Sequence, residues 1–97
     1  MKFKSHLLRL SRSSEHHRYK HVALIAKGNQ IFGVGVNTDG HHAEINAIAR
    51  AGGACKRATL YTLMTRSRDG SLGNGAPCLL CMEAITQAKL RKVVVYV

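Results

Sequence analysis

The sequence predicts an α/β fold in which a sheet is covered by helices. Three observations carry that expectation. Apolar residues recur at helical spacing in three stretches, short apolar runs rich in β-branched residues fall between them, and glycine, asparagine and proline punctuate the joints. Along the chain the elements come in the order α-β-β-α-β-α-β, and such interleaving places helices over a sheet.

Residues 2–12 (KFKSHLLRLSR) carry Phe3, Leu7, Leu8 and Leu10 as an apolar stripe with basic residues opposite, the pattern of a first helix. Residues 11–20 (SRSSEHHRYK) are polar and read as a connector to two apolar runs, 22–26 and 31–36. Gly28-Asn29 joins those runs, and both residue types accept the positive φ of a tight hairpin turn. Gly33 and Gly35 weaken the second strand and mark close approach of another group. Asn37-Thr38-Asp39-Gly40 ends the hairpin and leads into a second helix over 43–51, with Ile45, Ile48 and Ala49 on one face and Gly52-Gly53 as its stop. Residues 58–64 (ATLYTLM) read as a strand. Residues 65–76 hold three glycines and an asparagine and read as a long loop, a frequent seat of function. Pro77 opens a third helix, where its missing N–H costs nothing. Residues 92–97 close the chain as a β-branched strand. Ile45, Ile48, Met82 and Ile85 are expected in the core.

Ninety-seven residues make a single domain, 1–97, that hides only about two-thirds of its unfolded surface, so a metal or a partner subunit is a natural reinforcement. The longest apolar runs, 22–26 and 93–97, are far too short to span a bilayer, and charge interrupts residues 1–10 where a secretory signal would be apolar. A soluble, cytoplasmic chain is expected. Fifteen Lys and Arg against five Asp and Glu leave a net charge of +10, which predicts attraction to phosphate; a solvated basic surface is the plainer alternative. Three cysteines cannot all pair, and Cys78-x-x-Cys81 without an export signal reads as metal or redox chemistry.

Two fragments carry the chemistry: His42-Ala43-Glu44 and Pro77-Cys78-Leu79-Leu80-Cys81, each at the opening of a predicted helix. Sulfurs three residues apart project from the same side of a first turn, where the helix N-terminus favours thiolates. With His42 they make three ligands and leave an open fourth position, the form of a catalytic zinc site. Two thiolates, a neutral imidazole and Zn²⁺ also sum to zero charge. Glu44 is near enough to reach a water whose pKa zinc would lower from 15.7 to roughly 7, and to return the proton to a substrate nitrogen. This H-x-E with P-C-x-x-C is the known signature of zinc deaminases.

On those motifs the chain resembles the cytidine deaminase-like superfamily of zinc deaminases over roughly residues 1–97, and 69–81 (DGSLGNGAPCLLC) is similar to a compact viral branch. The resemblance implies a three-layer α-β-α fold with a mixed sheet of about four strands, truncated at the C-terminus. It implies zinc on His42, Cys78 and Cys81, proton transfer by Glu44, and substrate contacts from Asn37 and Ala43. It also implies a homo-oligomer, and host cytoplasm for a viral member. The expected reaction is hydrolytic deamination of a cytosine-type nucleoside or nucleotide. Arg66 and Arg68, in the 65–76 loop, are candidate contacts for a 5′-phosphate or a plain solvated face.

Other readings stand beside this one. A deaminase of cytosine or adenine in single-stranded DNA or RNA suits the charge, although 5% aromatics and no Trp offer few stacking platforms. A non-catalytic zinc-bearing basic module predicts binding without ammonia release. A closed structural zinc knot would need Cys55, which falls at the far end of a second helix about 15 Å long; a buried structural thiol is the better expectation for it. Asn37 could be a simple turn residue. His41 is expected exposed, and His6, His16, His17 and His21 on the surface.

Overall fold

The computed structural model describes residues 2–16, 18–38 and 41–97. The elements are α1 (Lys4–Ser11), β1 (Tyr19–Lys27), β2 (Gln30–Val36), α2 (Ala43–Ala51), β3 (Thr59–Arg66), β4 (Leu72–Gly73), α3 (Leu79–Gln87) and β5 (Lys92–Tyr96), with a 3₁₀ turn over Gly52–Cys55. β1 pairs antiparallel with β2 on one side and with β3 on the other. The far edge of β3 pairs in parallel with β5 and, at Met64 and Thr65, antiparallel with β4. The sheet is therefore mixed, with five strands rather than about four. The added strand is β4, which folds part of the expected 65–76 loop back as a hairpin; two residues are too few to show a period in sequence.

Alternation along β1 divides the core. Val22, Leu24 and Ala26 pack with Leu7, Leu63 and Tyr96 on the α1 face, while Ala23 and Ile25 pack with Ala43, Ala47, Leu60 and Ile85 on the α2–α3 face. Helices on both faces make the three α-β-α layers. No helix among the described residues is long and apolar enough to cross a membrane.

The group that approaches Gly33 and Gly35 is α2. A methyl at Gly33 would lie 2.6 Å from the Ala47 carbonyl oxygen, and one at Gly35 would overlap the Ala43 carbonyl. Asn46 Nδ2 and Arg50 donate to the carbonyls of Val36 and Val34, each at 2.9 Å, and tie the helix to the β2 edge. This contact corrects the expected helix face. Ala43, Glu44 and Ala47 turn inward, Ile48 is only partly buried and Ala49 is exposed, because small residues must meet the glycine strand. Met82 is likewise 40% exposed rather than core. Pro77 lies one residue before the N-cap of α3 instead of in its first turn. The Asp39-Gly40 turn and His17 lie outside the described residues.

Candidate metal centre

His42 and Cys78 are the N-cap residues of α2 and α3, with extended backbones (φ −86°, ψ 143° and φ −74°, ψ 173°). Neither side chain caps its own helix, so both are available for another partner. Cys81, in the first turn of α3, is fully buried beneath them. The donor atoms of His42, Cys78 and Cys81 lie within 4.8 Å of one another, and Cys78 Sγ is 3.9 Å from His42 Nδ1. Tetrahedral ligands at ordinary Zn–S and Zn–N lengths stand about 3.6–3.8 Å apart, so the three donors need move little to share one ion.

The donor chemistry also fits. The Cys81 backbone N–H lowers the Cys78 thiol pKa, as expected at a helix N-terminus. Cys81 is pushed up to about 12 by burial first and by the nearby Glu44 carboxylate second. A buried thiol held so high becomes a ligand when a cation replaces its proton. Soft thiolates with an imidazole suit zinc better than hard cations.

Glu44 is 1% exposed, and its Oε1 has no hydrogen-bond partner among the described residues. The Nδ1 of His21 lies 3.7 Å from Oε1. The expectation of a surface His21 is thus corrected: it points from β1 toward α2, its side chain 16% exposed, and burial lowers its pKa against the opposing pull of Glu44. The missed signal was strand alternation, which gives His21 the inward face of Ala23 and Ile25. His21, His42, His41, His16, Asn37 and Thr38 line a cavity of about 260 Å³. His41 is exposed, as expected.

Asn37 borders that cavity, but most of its amide is engaged. Oδ1 accepts from the His21 N–H at 2.9 Å and lies 2.6 Å from the Ser14 hydroxyl, while Nδ2 donates to the Tyr19 carbonyl at 2.9 Å. Among the described residues its second N–H has no acceptor. Ala43 is fully buried behind His42. Arg66 and Arg68 are not brought to the metal donors; with Arg18 and Tyr19 they line a separate cavity of about 300 Å³. Arg66 donates to the Leu72 carbonyl at 2.6 Å, so it also holds the β3–β4 hairpin. Cys55 is buried on the α2–α3 face, its thiol 3.8 Å from the Ile48 carbonyl and its pKa raised by burial; it has no place among the metal donors.

A family model described as the cytidine and deoxycytidylate deaminase zinc-binding region matches residues 1–97. Among solved structures, RibD of Acinetobacter baumannii is similar in two forms. Form 2 is 26% identical with a TM-score of 0.71, and form 1 is 26% identical with a TM-score of 0.68. Each match covers 96% of this chain and 26% of RibD, so the chain spans about a quarter of the length of that protein. The dCMP deaminase of cyanophage S-TIM5, in apo form, shares the fold with a TM-score of 0.70 at 21% identity, over 96% of this chain and 81% of that one. A search of the curated proteins gives no match.

Proposed function

The chain belongs to the cytidine and deoxycytidylate deaminase zinc-binding family, and from that premise we propose that it is a zinc-dependent hydrolase removing the amino group of a cytosine-type nucleotide, a monophosphate in preference to the nucleoside. The observation that carries this reading is the meeting of three metal-ligating atoms within 4.8 Å at the same two helix starts that bury the Glu44 carboxylate. A buried acid with an orphaned oxygen is poorly explained by packing alone.

His42, Cys78 and Cys81 would hold the ion. When bound, zinc supplies Lewis acidity that brings the pKa of water to about 7. Glu44 moves the protons. It takes one as the water oxygen bonds to C4 and delivers it to N3, then passes the next to the amino nitrogen. The C4–N bond breaks, ammonia leaves, and C4 keeps the oxygen as a carbonyl. The cavity of His16, His21, Asn37 and Thr38 beside His42 would seat the base, with the spare Asn37 N–H as one donor. Exposed Leu79 and Leu80 on α3, beside half-exposed Met82, support assembly as a homo-oligomer.

An ammonia-release assay over nucleosides, their monophosphates and single-stranded oligonucleotides tests the reading. Turnover of a cytosine monophosphate is expected, with Glu44→Gln at least ~10²-fold slower and still holding zinc. Zinc-loaded protein that releases no ammonia from any of them would leave a binding module instead. Activity confined to oligonucleotides would move the substrate to nucleic acid.

A further inference from the structure

His21 is held from behind by the sheet. Its Nε2 lies 2.6 Å from Thr62 Oγ1, on the neighbouring strand β3. Thr62 is fully buried, and its hydroxyl faces two carbonyl acceptors, Val22 at 3.2 Å and Gly75 at 3.3 Å. A hydroxyl has one proton to donate. Whether the hydroxyl donates to a carbonyl and accepts from Nε2, or donates to Nε2, the contact holds the plane of the ring. Nδ1 is then the atom presented to Glu44.

On the other side, Glu44 Oε1 is buried without a hydrogen-bond partner among the described residues, 3.7 Å from that Nδ1. The separation is too long for a hydrogen bond, and catalytic contacts commonly tighten once substrate is bound. A carboxylate that shuttles protons must return to the same place at each transfer, and misplacement by about 1 Å costs on the order of 10²-fold in rate.

We infer that His21 is the positioning residue for Glu44: braced by Thr62, its Nδ1 anchors Oε1 and leaves the second carboxylate oxygen to carry protons at the reacting base. His21 has this role only if Glu44 is the proton carrier proposed above.

The test compares zinc-loaded wild type with His21→Leu, which fills the space without a polar atom, and His21→Asn, whose amide falls near the Nδ1 position. His21→Leu is expected to lower kcat about 10–10²-fold, with KM within about twofold and zinc content unchanged, the scale of a lost orienting partner. His21→Asn should recover most of that loss. Nitrogen NMR of His21 gives a readout apart from activity: the Nδ1 signal should move in Glu44→Gln. A His21→Leu protein with wild-type kcat overturns the inference, as does equal impairment of both variants through KM. If His21→Leu does not fold, an Nδ1 signal indifferent to Glu44→Gln overturns it. Normal turnover by Glu44→Gln would remove the shuttle reading itself, whereas a slow Glu44→Gln beside a fully active His21→Leu removes only the role of His21.

Discussion

His42 and Cys78 hold the same place on two different helices: each is the residue before the first helical turn, and Nδ1 of one lies 3.9 Å from Sγ of the other. An ion shared between them therefore joins the starts of α2 and α3, and metal binding becomes folding energy. One zinc per chain is expected by elemental analysis. Cys78→Ala and Cys81→Ala should lose both zinc and thermal stability. Each ~1 kcal/mol lost should lower Tm by about 4–8 °C in a domain of this size.

Metal removal should also separate the three thiols. Cys78 is exposed with a lowered pKa, whereas Cys81 stands at about 12 and Cys55 is raised by burial. A lower pKa means a larger thiolate fraction at a given pH, and thiolate is the reactive form. Chelated protein treated with iodoacetamide near pH 7 should therefore label at Cys78 at least about tenfold faster than at either other cysteine, and added zinc should protect it. Mass spectrometry of the labelled peptides checks this, and uniform labelling would contradict the arrangement.

The gathering of His42, Cys78 and Cys81 was legible because its information is local. His-x-Glu and Cys-x-x-Cys are spacings that a helix start turns directly into geometry, and Gly28-Asn29 with Gly52 likewise announces a turn and a stop. What the sequence left obscure depends on which face of an element meets which neighbour. His21 looked like one more histidine near a basic end, yet the pleat sends it inward with Ala23 and Ile25, toward a glutamate 23 residues away. Ala49 was expected on the apolar face of α2 with Ile45 and Ile48, and Met82 in the core. Ala49 faces outward because the contact between α2 and β2 is set by Gly33, Gly35, Ala43 and Ala47, where smallness matters more than hydrophobicity, and Met82, on α3, is 40% exposed.

That contact makes Gly35 a lever on the site. A methyl there meets the backbone of Ala43 and Ala47, which cannot rotate away as a flexible side chain would. Gly35→Ala should cost at least about 1–3 kcal/mol, the usual range for overpacking. It should also displace the helix that carries His42 and Glu44, and so weaken zinc retention. Gly53→Ala, where nothing lies within 4 Å of the added methyl, serves as the control. Urea titration with zinc analysis of both variants measures the difference.

Assembly is tested at α3. Leu79 is 85% exposed and Leu80 57%, both on the turn that follows Cys78. Apolar side chains so placed are expected to be covered by a second copy of the chain. Sedimentation at high micromolar concentration should show an oligomer, and Met82→Lys, on the same helix but beyond the metal donors, should weaken it. A monomer throughout that range would count against assembly.

The phosphate is the remaining question, and the hairpin of β3 and β4 shapes its answer. Arg18, Tyr19, Arg66 and Arg68 surround one cavity, and Tyr19 stands two residues before His21 on the same strand face, about 7 Å along β1. Anionic substrates should therefore be drawn to a point close to the base cavity, helped by the +10 charge of the chain, and the attraction should fade with salt. A monophosphate should exceed its nucleoside in kcat/KM at low ionic strength, and the gap should narrow as salt rises. Arg68 is 80% exposed and only loosely paired with Asp69 at 3.7 Å, so Arg68→Ala should narrow the gap and leave the nucleoside rate alone. Arg66 also holds the Leu72 carbonyl, so Arg66→Ala should both narrow the gap and loosen the hairpin, with a measurable fall in Tm. A single-stranded oligonucleotide that engages several phosphates would show a much steeper salt dependence than a monophosphate. Rates for nucleoside, monophosphate and oligonucleotide at low and moderate salt distinguish these cases, and equal nucleoside and monophosphate rates at low salt would rule out a phosphate grip by these arginines.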